Sequence, residues 1–179
     1  MNQIFSEFSS DEHVLRSRAP RVQLLLYGDY ACALTATHDT AIRDALGVIP
    51  EDVVYIYRHY PQGPLGHRAA ECAVAAACQD RFWAMHALLI AHQSRLDDAS
   101  LIEYAVTLSL DITRFLRDLA GSLPRKKVES DNRNALAAGV SRTPGIFVQG
   151  QRLSSDFTVD EVLKNLSRRY RVPASPAKR

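Results

Sequence analysis

Val22-Gln23-Leu24-Leu25-Leu26-Tyr27-Gly28-Asp29-Tyr30-Ala31-Cys32-Ala33-Leu34-Thr35 carries the strongest fold signal in the chain. Its first part is short and almost wholly apolar, the pattern of a buried strand. Tyr27-Gly28-Asp29-Tyr30 reads as a turn. From about Ala33 to Leu46 the pattern is helical, with Ile42, Ala45 and Leu46 on one face, and Gly47 and Pro50 stop it. Cys32 therefore stands where a strand feeds a helix, which makes it a candidate redox nucleophile. The position three residues on, where a second cysteine would complete a dithiol, holds Thr35.

Val53-Val54-Tyr55-Ile56-Tyr57 reads as a second buried strand, β-branched and aromatic. Strand, helix and strand in this order predict a right-handed parallel crossover. Pro61-Gln62-Gly63-Pro64 then breaks the chain. The middle is helical in pattern. Residues 66–79 are alanine-rich. Phe82, Met85, His86 and Leu89 recur at helical spacing, with Phe82 and Trp83 read as core. Leu101, Ile102, Ala105 and Leu108 recur likewise behind the caps Asp98 and Ser100. Asp111 caps a stripe of Ile112, Phe115, Leu116 and Leu119. A charged helix from about Pro124 to Ala138 follows, with proline near its first turn. The end returns to strands: Ile146-Phe147-Val148, a turn at Gln149-Gly150, and Gln151-Arg152-Leu153. Thr158-x-x-Glu161 forms a capping box for a last helix carrying Val159, Val162, Leu163 and Leu166. The expected division is a polar N-terminal segment over 1–20, one α/β domain over 21–170 with a helical insertion at about 63–122, and a disordered tail over 171–179.

The chain has 179 residues, enough for one domain with a proper core. A formal net charge of +2 implies neither a nucleic-acid nor an acidic partner. Three cysteines are too few for a disulfide framework. The first twenty residues hold no apolar signal segment, and no stretch approaches the ~20 apolar residues of a membrane span. The expectation is a cytoplasmic protein in a reducing compartment, with no membrane partner. The six histidines show no zinc-ligand spacing with the cysteines, so no metal is expected.

The chain resembles the DsbA-like thioredoxin-fold family, in its cytosolic branch without a signal peptide. The resemblance is carried by Leu26-Tyr27-Gly28-Asp29-Tyr30-Ala31-Cys32, Tyr57-Arg58-His59-Tyr60-Pro61 and Gln79-Asp80-Arg81-Phe82-Trp83-Ala84-Met85-His86. It continues through Leu108-Ser109-Leu110-Asp111 with Arg114-Phe115, and Gly139-Val140-Ser141-Arg142-Thr143-Pro144. It implies a thioredoxin-like fold with a helical insertion, and thiol–disulfide chemistry. Of the family's Cys-x-x-Cys pair only the first position carries over, to Cys32. The family's Thr-Pro pair, with a cis peptide facing the active cysteine, carries over to Thr143-Pro144. Thr35, Arg142 (glycine in the family) and Gly145 (threonine or similar) depart from the pattern and speak against ordinary dithiol oxidase activity.

Physics still favours a reactive Cys32. Unpaired N–H groups and the dipole at a helix N-terminus stabilise a thiolate. Thr35 is placed to donate its hydroxyl to that thiolate but cannot attack a mixed disulfide, so an external thiol must release Cys32. The first reading is a monothiol oxidoreductase acting on protein or glutathione mixed disulfides. Glutathione is its co-substrate, with no tightly bound cofactor. Thr143 and Pro144 would hold an extended substrate strand to strand, and Arg142 would attract a glutathione carboxylate or remain a solvated charge. The second reading is a peptide-binding module in which Cys32 is a relic. The third is a glutathione-dependent transferase or isomerase. Asp29 either influences the Cys32 proton or organises the turn. Cys72 and Cys78, six apart on one helix, lie about 9 Å apart at 1.5 Å rise per residue, too far to pair. They read as small buried residues, with a distant resolving role left open.

Overall fold

A computed structural model describes residues 12–15, 22–46 and 53–153. The final helix, the tail and both outer domain boundaries expected from the sequence lie outside these residues. Along the described chain run β1 (His13–Leu15), β2 (Val22–Gly28), α1 (Ala33–Leu46), β3 (Val53–His59), α2 (Pro64–Ala77), α3 (Phe82–Ala91), α4 (Asp98–Thr107), α5 (Ile112–Ala120), α6 (Ser122–Ala137), β4 (Gly145–Val148) and β5 (Gln151–Arg152).

The strands form one sheet in the order β1-β3-β2-β4-β5. β2 and β3 pair in parallel from Val22↔Val53 to Gly28↔His59, as the crossover pattern requires. β4 pairs antiparallel with β2, from Leu24↔Val148 to Tyr27↔Gly145. Gln149 and Gly150 both take positive φ, 51° and 73°, the two-residue geometry that matches strand twist and turns β4 into β5. Strand β1 is a finding the sequence reading did not contain, because three residues in a polar segment carry no readable period. It lies antiparallel on β3, His13↔Tyr57 to Leu15↔Tyr55, and Trp83 Nε1 donates to Val14 O at 3.0 Å.

Strand periodicity sorts the apolar side chains of β2. Val22, Leu24 and Leu26 enter the main core, whereas Leu25 and Tyr27 join a smaller cluster with Tyr60, Ala135, Val140 and Phe147. The helices α2–α6 occupy the chain between β3 and β4. Helix α2 is their centre, packing against α3, α4, α5 and α6. Its alanines at 69, 70, 73, 75 and 76 are buried. They bury little area each, so their contribution is to let several helices approach closely. The α4 cap differs from expectation: Asp97, not Asp98 or Ser100, accepts the Ser100 N–H and starts the helix. In α5, Phe115 and Leu119 are buried while Leu116 stays exposed.

His59 at the end of β3 is fully buried, and neither ring nitrogen has a hydrogen-bond partner among the described residues. Burial, reinforced by the positive charges of neighbouring groups, holds its pKa well below the ordinary 6.5. The unfolded chain therefore binds a proton that the folded chain refuses, and stability falls as pH drops below about 6.5. This single group gives a slope of up to about 1.4 kcal/mol per pH unit. Replacing it with Phe (H59F), which suits the surrounding rings of Tyr30, Tyr57 and Phe82, is expected to flatten that slope. Urea melts between pH 7.5 and 5 check this, and an unchanged slope would refute the assignment.

Candidate active site

The turn between β2 and α1 is built around Asp29, which is buried. One carboxylate oxygen accepts the Ala31 N–H at 2.9 Å, and the other accepts the Gln62 N–H at 3.0 Å. The Asp29 N–H donates to Thr35 Oγ1 at 3.2 Å, and its carbonyl accepts the Cys32 N–H at 3.0 Å. Of the two roles open for Asp29, the geometry supports turn organisation. Glycines make room for this packing. A Cβ at Gly28 would lie 2.6 Å from the Tyr57 hydroxyl and 2.7 Å from Thr35 Cγ2, and one at Gly66 would fall on the Asp29 carboxylate. Gly145 is bare for the same kind of reason: Val140 Cγ1 would lie 2.7 Å from its Cβ.

Cys32 caps α1, its carbonyl accepting the Ala36 N–H at 3.2 Å. Its half-buried sulfur lies 3.6 Å from the Thr143 carbonyl oxygen, across the fold from the turn. The Thr143–Pro144 peptide bond is cis. Partial burial pushes the Cys32 thiol up. The Thr143 hydroxyl, the backbone N–H and hydroxyl of Thr35 and the Leu34 N–H outweigh this, and the thiol sits below its ordinary value. Because Thr35 Oγ1 accepts from Asp29, its own proton is left to point at the sulfur.

Cys32, Thr35, Thr143 and Pro144 are thus brought together. Arg142 immediately precedes Thr143 in the chain and is exposed. His38 Nδ1 lies 2.7 Å from the Leu34 carbonyl on its own helix. Cys72 and Cys78 are free thiols. Burial pushes Cys72 up to about 12. Burial and then Asp118 raise Cys78. Both thiols therefore stay protonated at neutral pH, when they are poor nucleophiles. Among the described residues no cluster of three or more His, Cys, Asp or Glu side chains could hold a metal ion. No described helix is long and apolar enough to cross a membrane.

Two features of the site escaped the sequence reading. His86 Nε2 lies 2.9 Å from Asp39 Oδ1, and His86 Nδ1 lies 3.0 Å from the Tyr30 hydroxyl. Asp39 also accepts from Tyr55 Oη at 2.7 Å and from Arg43 Nε at 2.7 Å. Burial opposes the Asp39 charge, but His86, Arg43 and Tyr55 outweigh it and hold the carboxyl below its ordinary value. The signal was present: Asp39 falls on the face of α1 shared by Thr35, Ile42 and Leu46, all buried. The second feature is Gln93, whose amide reaches the turn and left no sequence signal.

A thioredoxin family model matches residues 10–168. The chain belongs to the thioredoxin family. Its similar solved structures place this thioredoxin-family member in the DsbA-like form of the fold. A thioredoxin-like oxidoreductase from Silicibacter pomeroyi DSS-3 superposes with a TM-score of 0.82 at 19% identity, over 91% of this chain and 94% of that one. The thiol-disulfide exchange protein alpha-DsbA2 from Wolbachia pipientis gives 0.81 at 16% identity, over 90% of this chain and 88% of that one. At such identities the likeness establishes the fold alone. In sequence, the chain is similar to proteins named Na(+)/H(+) antiporters. It is 37% identical to NhaA 3 of Salinispora tropica over 83% of this chain and 23% of that protein. It is 33% identical to NhaA of Herminiimonas arsenicoxydans over 93% of this chain and 27% of that protein. The chain thus spans about a quarter of the length of these curated relatives.

Replacing Thr143 with valine removes a hydroxyl donor and keeps the backbone that faces the sulfur. The Cys32 pKa is expected to rise, with iodoacetamide alkylation at pH 7 slowing about three- to tenfold. An unchanged rate would show that the hydroxyl does not stabilise the thiolate.

Proposed function

We propose that this thioredoxin-family domain is a monothiol thiol–disulfide oxidoreductase acting through Cys32. The observation that carries the reading is a thiol held below its ordinary pKa by four donors, with Thr35 in place of a second cysteine. The Cys32 thiolate attacks one sulfur of a substrate disulfide, forming a Cys32 mixed disulfide and expelling the other sulfur as a thiolate. With a glutathionylated protein the protein thiol leaves, taking a proton from solvent. A second glutathione thiolate then attacks the Cys32–glutathione disulfide, releasing oxidised glutathione and restoring Cys32. The net exchange turns one protein–glutathione disulfide and one glutathione thiol into one protein thiol and one oxidised glutathione, so the number of disulfides is conserved and no cofactor need store electrons. A reducing, cytoplasmic setting would supply this thiol.

Thr143 and Pro144 hold the substrate backbone in this reading, because the Thr143 carbonyl already borders the sulfur. Arg142 supplies a solvent-facing cation for a glutathione carboxylate. Thr35 keeps the thiolate ready and leaves resolution to the external thiol.

In a C72A/C78A background, alkylation of Cys32 is expected to titrate below the free-thiol value of about 8.5. Turnover of a glutathionylated peptide should depend on glutathione and vanish in C32S. An ordinary thiol pKa with no glutathione adduct by mass spectrometry would sink the enzyme reading. A low pKa without turnover would leave a peptide-binding module.

The antiporter relatives favour a second reading of context, in which the thiol exchange acts on a disulfide of a membrane transporter. A monothiol site accumulates its mixed disulfide, so Cys32 adducts trapped in membranes should contain an antiporter. Adducts lacking one would overturn this context.

A further inference from the structure

We propose that Gln93 is a positioning residue for Cys32, clamping the turn from the helical insertion through both protons of its side-chain amide. Gln93 Nε2 donates to the Tyr30 carbonyl at 2.7 Å and to the Cys32 carbonyl at 2.9 Å. These two carbonyls belong to the peptide units on either side of the Ala31–Cys32 unit. A primary amide has two N–H donors, and this arrangement uses both. The Cys32 carbonyl accepts the Ala36 N–H as well, which fills its two lone-pair directions.

The arm that carries Gln93 is itself held. The His92 N–H donates to Leu88 O at 3.0 Å, ending α3, and the Arg95 N–H donates to His92 O at 2.8 Å. The Tyr104 hydroxyl of α4 donates to Arg95 O at 2.9 Å, the His92 and Tyr104 rings stack at 5.7 Å, and Leu96 is buried just beyond. Gln93 is therefore presented to the turn by elements fixed on both sides. On the same side of the turn, the Tyr30 hydroxyl reaches His86 of α3.

The electrical consequence follows from the direction of these bonds. The positive end of the amide dipole faces two carbonyl oxygens that would otherwise present negative partial charge beside a thiolate. It also fixes the Cys32 peptide unit, and with it the direction in which the sulfur meets Thr143. Removing the donors leaves the carbonyl of the buried Tyr30 without this partner and frees the cap to rotate. The inference takes Cys32 as the reacting group, as in the function proposed above, but its readout is the thiol itself.

The test uses the full chain in the C72A/C78A background, with Q93M and Q93E compared with the parent. Met is close to Gln in shape and has no donor. Glu keeps the shape and reverses the charge facing the carbonyls. Alkylation of Cys32 is followed from pH 4 to 10, with thermal melts alongside. Q93M is expected to move the titration upward and slow alkylation at pH 6 about threefold, and Q93E about tenfold or more. A titration curve in Q93M that coincides with the parent would overturn the proposal, whatever the melting temperature does. Q93M decides alone if Q93E does not fold. If the parent shows an ordinary thiol pKa, the oxidoreductase reading fails. A Q93M shift in an enzyme without turnover sustains the positioning role while that reading fails.

Discussion

The buried carboxylate of Asp29 is the constraint on which the site depends. A chain leaving β2 must reverse into α1 within four residues, which strips several backbone N–H groups of partners. Asp29 accepts one of them, from Ala31, and also takes the Gln62 N–H from the loop after β3. Hydrogen bonds to a charged acceptor contribute about 1.5–3 kcal/mol each. The side chain also occupies the space above Gly66, so α2 can approach only where it carries no Cβ. Strand β2, the loop before α2 and both helices meet at this one group.

A second buried polar network joins the sheet half to the helical insertion. Asp39 on α1 holds His86 on α3, and His86 meets Tyr30 in the turn. Tyr55 of β3 and Arg43 complete the shell around the carboxylate. Breaking such a buried pair by deleting one partner typically costs about 3–5 kcal/mol. Together with Gln93, this network makes the insertion a mechanical part of the thiol's setting as well as a cover for the sheet.

Among the described residues, dipoles are what favours the thiolate. All the groups that lower the Cys32 pKa are N–H or hydroxyl donors. Dipoles at contact distance are screened little by salt, whereas an ion pair at the surface would be. They also depend on direction, so small rotations of the Cys32 or Thr143 backbone change reactivity more than they would beside an arginine. Burial raises the other two thiols, and Asp118 adds to the rise at Cys78.

Strands β2 to β5, the order of the helices and the place of Cys32 were legible in the sequence, because periodicity, caps and turn residues are local signals. The resemblance to the DsbA-like form added Thr143-Pro144, which spacing alone would not have linked to Cys32. Strand β1 was not legible: three residues have no period, and pairing with β3 is what makes them a strand. The sequence also determined that the site has one cysteine, since no packing can turn Thr35 into a second thiol. Tertiary structure decided the rest. It placed the Thr143 carbonyl 3.6 Å from a sulfur 111 residues away. It turned Asp39 inward onto His86 and brought Gln93 onto the turn. Hydrogen bonds between residues distant in sequence depend on orientation in three dimensions, and residue order alone does not encode that orientation in a readable form.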